Sequence, residues 1–193
     1  MKYFLSALLC SFMLLACATV HAASTPVRAA VTASPAQQAA MQLELDRLIA
    51  QFSDGIAETY SENPARIVYG NLFGDHQHDA VVLFNLEGYG GGNHHAEFIA
   101  FFTEQEQFDV ADMHTRPYLL VAVTKLGERG WRSFDFNSAS IKQKSVTLNG
   151  KEMTSGDAMC CPSLTITRSF GVDEFDHIIE SKDGKMKRRA ARP

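Results

Sequence analysis

From Met41 onward, apolar side chains return every three or four positions, at Leu45, Leu48, Ile49, Phe52 and Ile56. Glu44, Asp46, Arg47, Gln51 and Asp54 take the other side of the same projection. That period predicts an amphipathic helix with one buried face. Ser34-Pro35-Ala36-Gln37 marks its start. The serine hydroxyl can cap, proline suits the first turn, and Gln37 can reach back as in a capping box. Asn63-Pro64 is expected to close the segment, because the residue before proline avoids helical geometry.

Beyond it the pattern becomes strand and turn. Runs at 66–71, 80–86, 97–102 and 118–124 are short and rich in β-branched and aromatic residues. Three of them, "AVVLF", "FIAFF" and "YLLVAV", are apolar almost without alternation, which places them mid-sheet with both faces covered. Later stretches alternate, with Asp135 between Phe134 and Phe136 and Ile166 between Thr165 and Thr167, so one face should be wet. Turns are expected at Gly127-Glu128-Arg129-Gly130, at Asn149-Gly150 and at Gly171. Local turns without helical crossovers imply antiparallel neighbours. The expectation is an α+β fold, one N-terminal helix packed on a curled, mostly antiparallel sheet of six to nine strands.

The ends of the chain set the expected address. Met1 and Lys2 precede an apolar run to Leu15, and small residues lead through Val20-His21-Ala22 to Ala23. This is the pattern of a signal peptide over 1–22, so the mature protein is expected in the periplasm or secreted. Leu14-Leu15-Ala16-Cys17 also resembles a bacterial lipobox, and a lipidated Cys17 would tether the protein to a membrane. Residues 23–33 read as a spacer, 34–181 as a single domain, and 182–193 as a basic tail. The whole chain carries a net charge of −4; setting aside the tail at +5 and Lys2 at +1 leaves the part between near −10. An acidic body repels anionic polymers and steers basic proteins toward it. Nucleic acid is not an expected partner, and a membrane is one only through Cys17 or the tail.

The stretch "GNLFGDHQHDAVVLF", residues 70–84, raises a question of chemistry. Laid on an aspartate-rich calcium loop, its ligand positions fall on Asn71, Phe73, Asp75, His76 and Asp79. It resembles the Gly-Asp turn of FG-GAP and VCBS-type secreted proteins, with three departures. Asn71 stands first, Phe73 cannot coordinate, and His76 replaces the turn glycine. Calcium wants six to eight oxygens, and this set barely supplies them. With the glycine-rich "EGYGGGNHH" and the late "GDAMCCPS", the region is similar to small bacterial envelope proteins and lipoproteins of the LppP/LprE-like kind. That resemblance covers about residues 65 to 180 and implies an envelope location and a fold, not a reaction.

Histidines offer a second chemistry. His76 and His78 share a side if the backbone is extended, and a hairpin could bring His94 and His95 beside them. Imidazoles with Asp75 or Asp79 would suit zinc or copper, although the spacing matches no zinc pattern. Cys160 and Cys161 are neighbours, and adjacent Cα atoms lie about 3.8 Å apart, below the usual disulfide range of about 4.4–6.8 Å. A rigid loop with a strained or absent bridge is expected there. The run "GYGGGNHH" leads into a strand rather than a helix, which argues for a hairpin loop over a phosphate cradle. Glu87 and Glu97 could serve a hydrolase as acid and base.

No nucleophile elbow or zincin motif occurs. The leading expectation is therefore a non-enzymatic envelope protein that binds another protein, such as a basic cell-wall hydrolase that it inhibits. Its expected contacts are Glu87, Tyr89, Gly90, Gly91, Gly92, Asn93, Cys160 and Cys161. The alternatives are a periplasmic transition-metal-binding protein and a cell-wall hydrolase.

Overall fold

A computed structural model describes residues 32–53, 57–59, 64–74, 78–105 and 117–182. Helix α1 runs Pro35–Phe52 and opens with the expected capping box: Ser34 Oγ accepts the Gln37 N–H, and Gln37 Oε1 accepts the Ser34 N–H at 2.7 Å. The helix ends earlier than Asn63-Pro64. Ser53 caps it by donating its N–H to the Ile49 carbonyl, and strand β1 (Glu58–Thr59) already lies before the proline.

The remaining strands are β2 (Arg66–Gly70), β3 (Asp79–Glu87), β4 (His95–Glu104), β5 (Tyr118–Glu128), β6 (Arg132–Lys142), β7 (Ser145–Glu152), β8 (Leu164–Val172) and β9 (Ile178–Ser181). Among the described residues every strand pairing is antiparallel, and β3 through β9 follow one another as a meander, with β1 and β2 both on the outer edge of β3. The chain thus has an α+β fold with a curled antiparallel sheet. The curl is sharpest between β5 and β6, which pair only at Glu128 and Arg132. There the sheet turns over, so that β6 to β9 form a second layer against the first. A Cβ on Gly70 would sit 2.9 Å from Ile141 Cγ2, so β2 lies directly on β6.

Alternation along β3 and β4 explains why the middle of each strand is an unbroken apolar run. Ala80, Val82, Phe84 and Leu86, with Ala96, Phe98, Ala100 and Phe102, face the helix and meet Met41, Leu45 and Leu48. Val81, Leu83, Ile99 and Phe101 face the other way, toward Phe134, Phe136, Val146, Leu148 and Phe170. A strand covered on both sides reads as an unbroken apolar run. Phe98 centres the helix side, its ring stacked on Phe84 at 5.1 Å and touched by Phe52 and Tyr89, each at 5.3 Å.

The same expectation fails for β5. Leu119 and Leu120 are exposed, because the outer edge of β5 has no neighbouring strand before Glu128 among the described residues. Two expected turns are also strand interior. Asn149-Gly150 lies within β7 and Gly171 within β8. Gly150 is needed for space, since a Cβ there would come within 2.4 Å of the Ser133 carbonyl oxygen. The β6–β7 turn instead falls on Gln143 and Lys144, both with positive φ.

The hydroxyls of Tyr69 and Tyr118 are buried and find no hydrogen-bond partner among the described residues. Burial, with Glu104 nearby, pushes the Tyr118 pKa far up and keeps that hydroxyl protonated. An unpaired buried hydroxyl costs stability that a phenyl ring would not. Tyr118→Phe is therefore expected to raise the unfolding free energy by about 1 kcal/mol. Phe98→Ala should lower it by about 3–5 kcal/mol. Urea titration of both variants checks the pair.

Candidate functional site

The Gly-Asp turn is a clamp built by Asp79, which is fully buried. Its Oδ2 accepts the N–H groups of Leu72 and Phe73, both at 2.9 Å. Its Oδ1 accepts the Thr103 hydroxyl at 3.2 Å and the Glu104 N–H at 3.1 Å. Both oxygens are spent on fixing the turn to the end of β4, so the carboxylate proposed above as a calcium or transition-metal ligand does structural work. Asp75 and His76 lie outside the described residues.

His78 does not converge with His94 and His95 either. His78 precedes β3 and lies 3.4 Å from Glu104 through Nδ1. His95 pairs with Glu87 at the far end of that strand, with His94 beside it. Eight residue steps of extended chain separate the two ends by roughly 26 Å. The hairpin register thus keeps His78 away from His94 and His95, against the sequence expectation. Among the described residues, no group of three or more His, Cys, Asp or Glu side chains is arranged to hold a metal ion.

Glu97 is buried between the layers at the point where the sheet turns over. Its Oε2 accepts the Phe134 N–H of β6 at 2.9 Å and passes across Gly127 of β5, where a Cβ would lie 2.9 Å away. Burial pushes its carboxyl up to about 7, against the pull of the Phe134 N–H and the Arg132 guanidinium. Such a value suits a general acid, but the group is covered and its oxygen is engaged by the backbone. Its partner in the hydrolase reading, Glu87, is exposed at the end of β3.

The loops tell a more coherent story. In a meander, alternate connections share an end, and those between β3 and β4, β5 and β6, and β7 and β8 meet here. Gly88 donates its N–H to His94 O at 2.7 Å to close the first. Gly88, Gly90, Gly91 and Gly92 all have positive φ, which explains the glycine run conformationally. Arg129 of the second connection donates from Nη1 to the Asn93 carbonyl at 2.6 Å. On its other side, the Cε of Met159 reaches within 3.4 Å of where a Gly130 Cβ would stand, and the Met153 N–H binds Trp131 O at 2.8 Å. The 129–131 turn therefore joins the glycine loop to the cysteine loop.

The cysteine loop, 153–163, is pinned at its base. Asp157 Oδ2 accepts the N–H groups of Thr154 at 2.8 Å and Ser163 at 3.0 Å, which hold its pKa below the usual carboxylate range. At the tip Cys161 donates its N–H to Ala158 O at 2.8 Å. Cys160 and Cys161 are bridged, so of the two expected outcomes the bond is present.

Beneath this end lies an ionic brace. Arg132 gives a two-pronged contact to Glu180, at 2.7 and 2.9 Å, and its Nε donates to Leu126 O at 2.7 Å. Arg168 bonds Glu152 at 2.6 Å and brings Nε to 3.0 Å from Glu180 as an ion pair without hydrogen-bond alignment. Glu180 thus serves two nearly buried arginines and ties β9 to β6 and β8, and Glu152 brings in β7 through Arg168. Above it, the Arg132 guanidinium lies 4.0 Å over the ring of Trp131, which is 37% exposed.

Of the contacts expected from sequence, Gly90, Gly92, Asn93, Cys160 and Cys161 are exposed at this end, and Glu87 stands at its margin. Gly91 is half-buried, and Tyr89 turns inward onto Phe98. Sequence reasoning missed Arg129, Trp131 and Met159. The chain's single tryptophan beside a Gly-x-x-Gly turn was the available signal. No protein-family model, curated protein or solved structure matches the chain.

Glu97 generates a test of the corner. The folded protein holds its proton more tightly than the unfolded chain, whose pKa is near 4.5. Its contribution to stability is therefore full below about 4.5 and is lost as pH rises through about 7. Relative to Glu97→Gln, the wild type should lose on the order of 3 kcal/mol between pH 4 and 8. Paired urea titrations across that range measure the difference.

Proposed function

We propose that this is a non-enzymatic binding protein of the bacterial envelope that engages a basic envelope protein, such as a cell-wall hydrolase it inhibits, through the three-loop end. The observation that carries the reading is that loops from three separate hairpins meet in one surface bearing Trp131, Met159 and the bridged cysteines, above a charged brace. Exposed tryptophan near a rigid base is what binding hot spots are made of. The signal-peptide pattern at 1–22 and the resemblance to envelope lipoproteins support the address. The acidic body, near −10 without its terminal basic groups, supports a basic partner by steering its approach. Among the described residues, no helix is long and apolar enough to cross a membrane.

The experiment is binding of the purified protein to basic cell-wall hydrolases and to envelope extract at low and high salt. Trp131→Ala is expected to weaken binding at least tenfold, because truncating a hot-spot aromatic costs about 2 kcal/mol or more. Phe175→Ala, on an exposed aromatic in the β8–β9 turn at the opposite end, should leave affinity unchanged. Binding that survives Trp131→Ala, or no binding to any basic hydrolase at low salt, overturns the reading.

A further inference from the structure

We infer that the Cys160–Cys161 bridge is a thiol–disulfide exchange site for a dithiol reductant of the Cys-x-x-Cys class, and not a structural staple. The first argument is what the bond cannot do. A disulfide stabilises a fold mainly by closing a loop in the unfolded chain, and the effect grows with loop length. This one joins residues separated by a single peptide, so it closes almost nothing. The fold around it is held by other means, with Asp157 pinning both ends of the loop and the Arg132, Arg168 and Glu180 brace fixing the strands below.

The second argument is access. Both cysteines are exposed at the tip of the loop, as exchange requires, since an incoming thiolate must reach a sulfur in line with the bond. The residue before them, Met159, is 63% exposed and packs only lightly against Gly130. The tip can thus change shape without disturbing a core.

The chemistry is a two-electron exchange. A thiolate of the reductant attacks one cysteine sulfur, and the bonding pair leaves on the other, which takes a proton from water. The second thiolate of the reductant then attacks the mixed disulfide and expels the first cysteine. The protein gains two electrons and two protons as a vicinal dithiol, and the reductant becomes a disulfide. Because Met159 precedes the pair and its Cε reaches Gly130, the residue before Trp131, the redox state of the pair would alter the surface proposed for binding. The exchange itself needs no partner, so it stands or falls separately from that proposal.

The test incubates the purified, folded protein with an equimolar Cys-x-x-Cys dithiol protein. Alkylation and mass mapping of the peptide holding residues 160 and 161 follow the bond. The expected result is reduction of at least half of the bridge in the folded protein. Emission from Trp131, the only tryptophan, should change in parallel. The urea midpoint should shift by less than about a tenth. The Cys160→Ser, Cys161→Ser double variant should fold with the wild-type midpoint and lose the emission response to the reductant. A bridge that is reduced only after unfolding in urea would overturn the inference. So would a double variant that fails to fold or has a much lower midpoint, because either would make the bond structural.

Discussion

The fold depends on covering two adjacent strands on both faces. β3 is buried from Asp79 to Leu86 and β4 from Ala96 to Phe102, with apolar side chains on both faces, so neither face can be left to water. The helix covers one side, and the sheet must turn back on itself to cover the other. This is why β5 and β6 separate after a single pair and why a buried carboxylate sits at the corner. Glu97 supplies there the acceptor for the Phe134 N–H that a continuing ladder would otherwise have supplied. Gly127 leaves room for that carboxylate to pass.

From this constraint the three-loop end of the molecule follows. An antiparallel meander sends alternate connections to the same side, and folding the sheet over draws three of them into contact. Below the surface Glu180, shared by Arg132 and Arg168, joins β6, β8 and β9, and Arg168 carries the link on to Glu152 of β7. Buried ionic groups of this kind are weak evidence for stability, since desolvation offsets much of the attraction. Here they link β6, β7, β8 and β9 beneath Trp131.

Much of this could be read from the chain. The helix start, the two doubly buried strands and the alternating later strands were visible because each follows from a short-range period or cap. Turn positions were less visible, and glycines misled twice. Gly150 serves close packing against Ser133, and Gly171 lies inside β8. Meanwhile Gln143 and Lys144 turn the chain with no such residue. The candidate site was half legible. The glycine and cysteine loops announced themselves by composition, whereas Arg129 and Met159 are ordinary residues made notable by which hairpins touch. Asp79 shows the reverse, a residue that looked like a ligand and is consumed by four hydrogen bonds. Register explains His78, since only the pairing of Glu87 with His95 reveals that a full strand lies between His78 and the His94-His95 pair.

One feature of β5 bears on the life of the protein before and after folding. Its apolar outer border, with Leu119 and Leu120 open to solvent, is the kind of template on which another chain could build. Against β4, however, the strand slips register twice, between Glu97 and Phe98 and between Phe101 and Phe102. Each slip sets an extra residue into β5 as a bulge, bending the border and interrupting its row of donors and acceptors. A border broken in two places offers no long straight run on which fibrous growth could build.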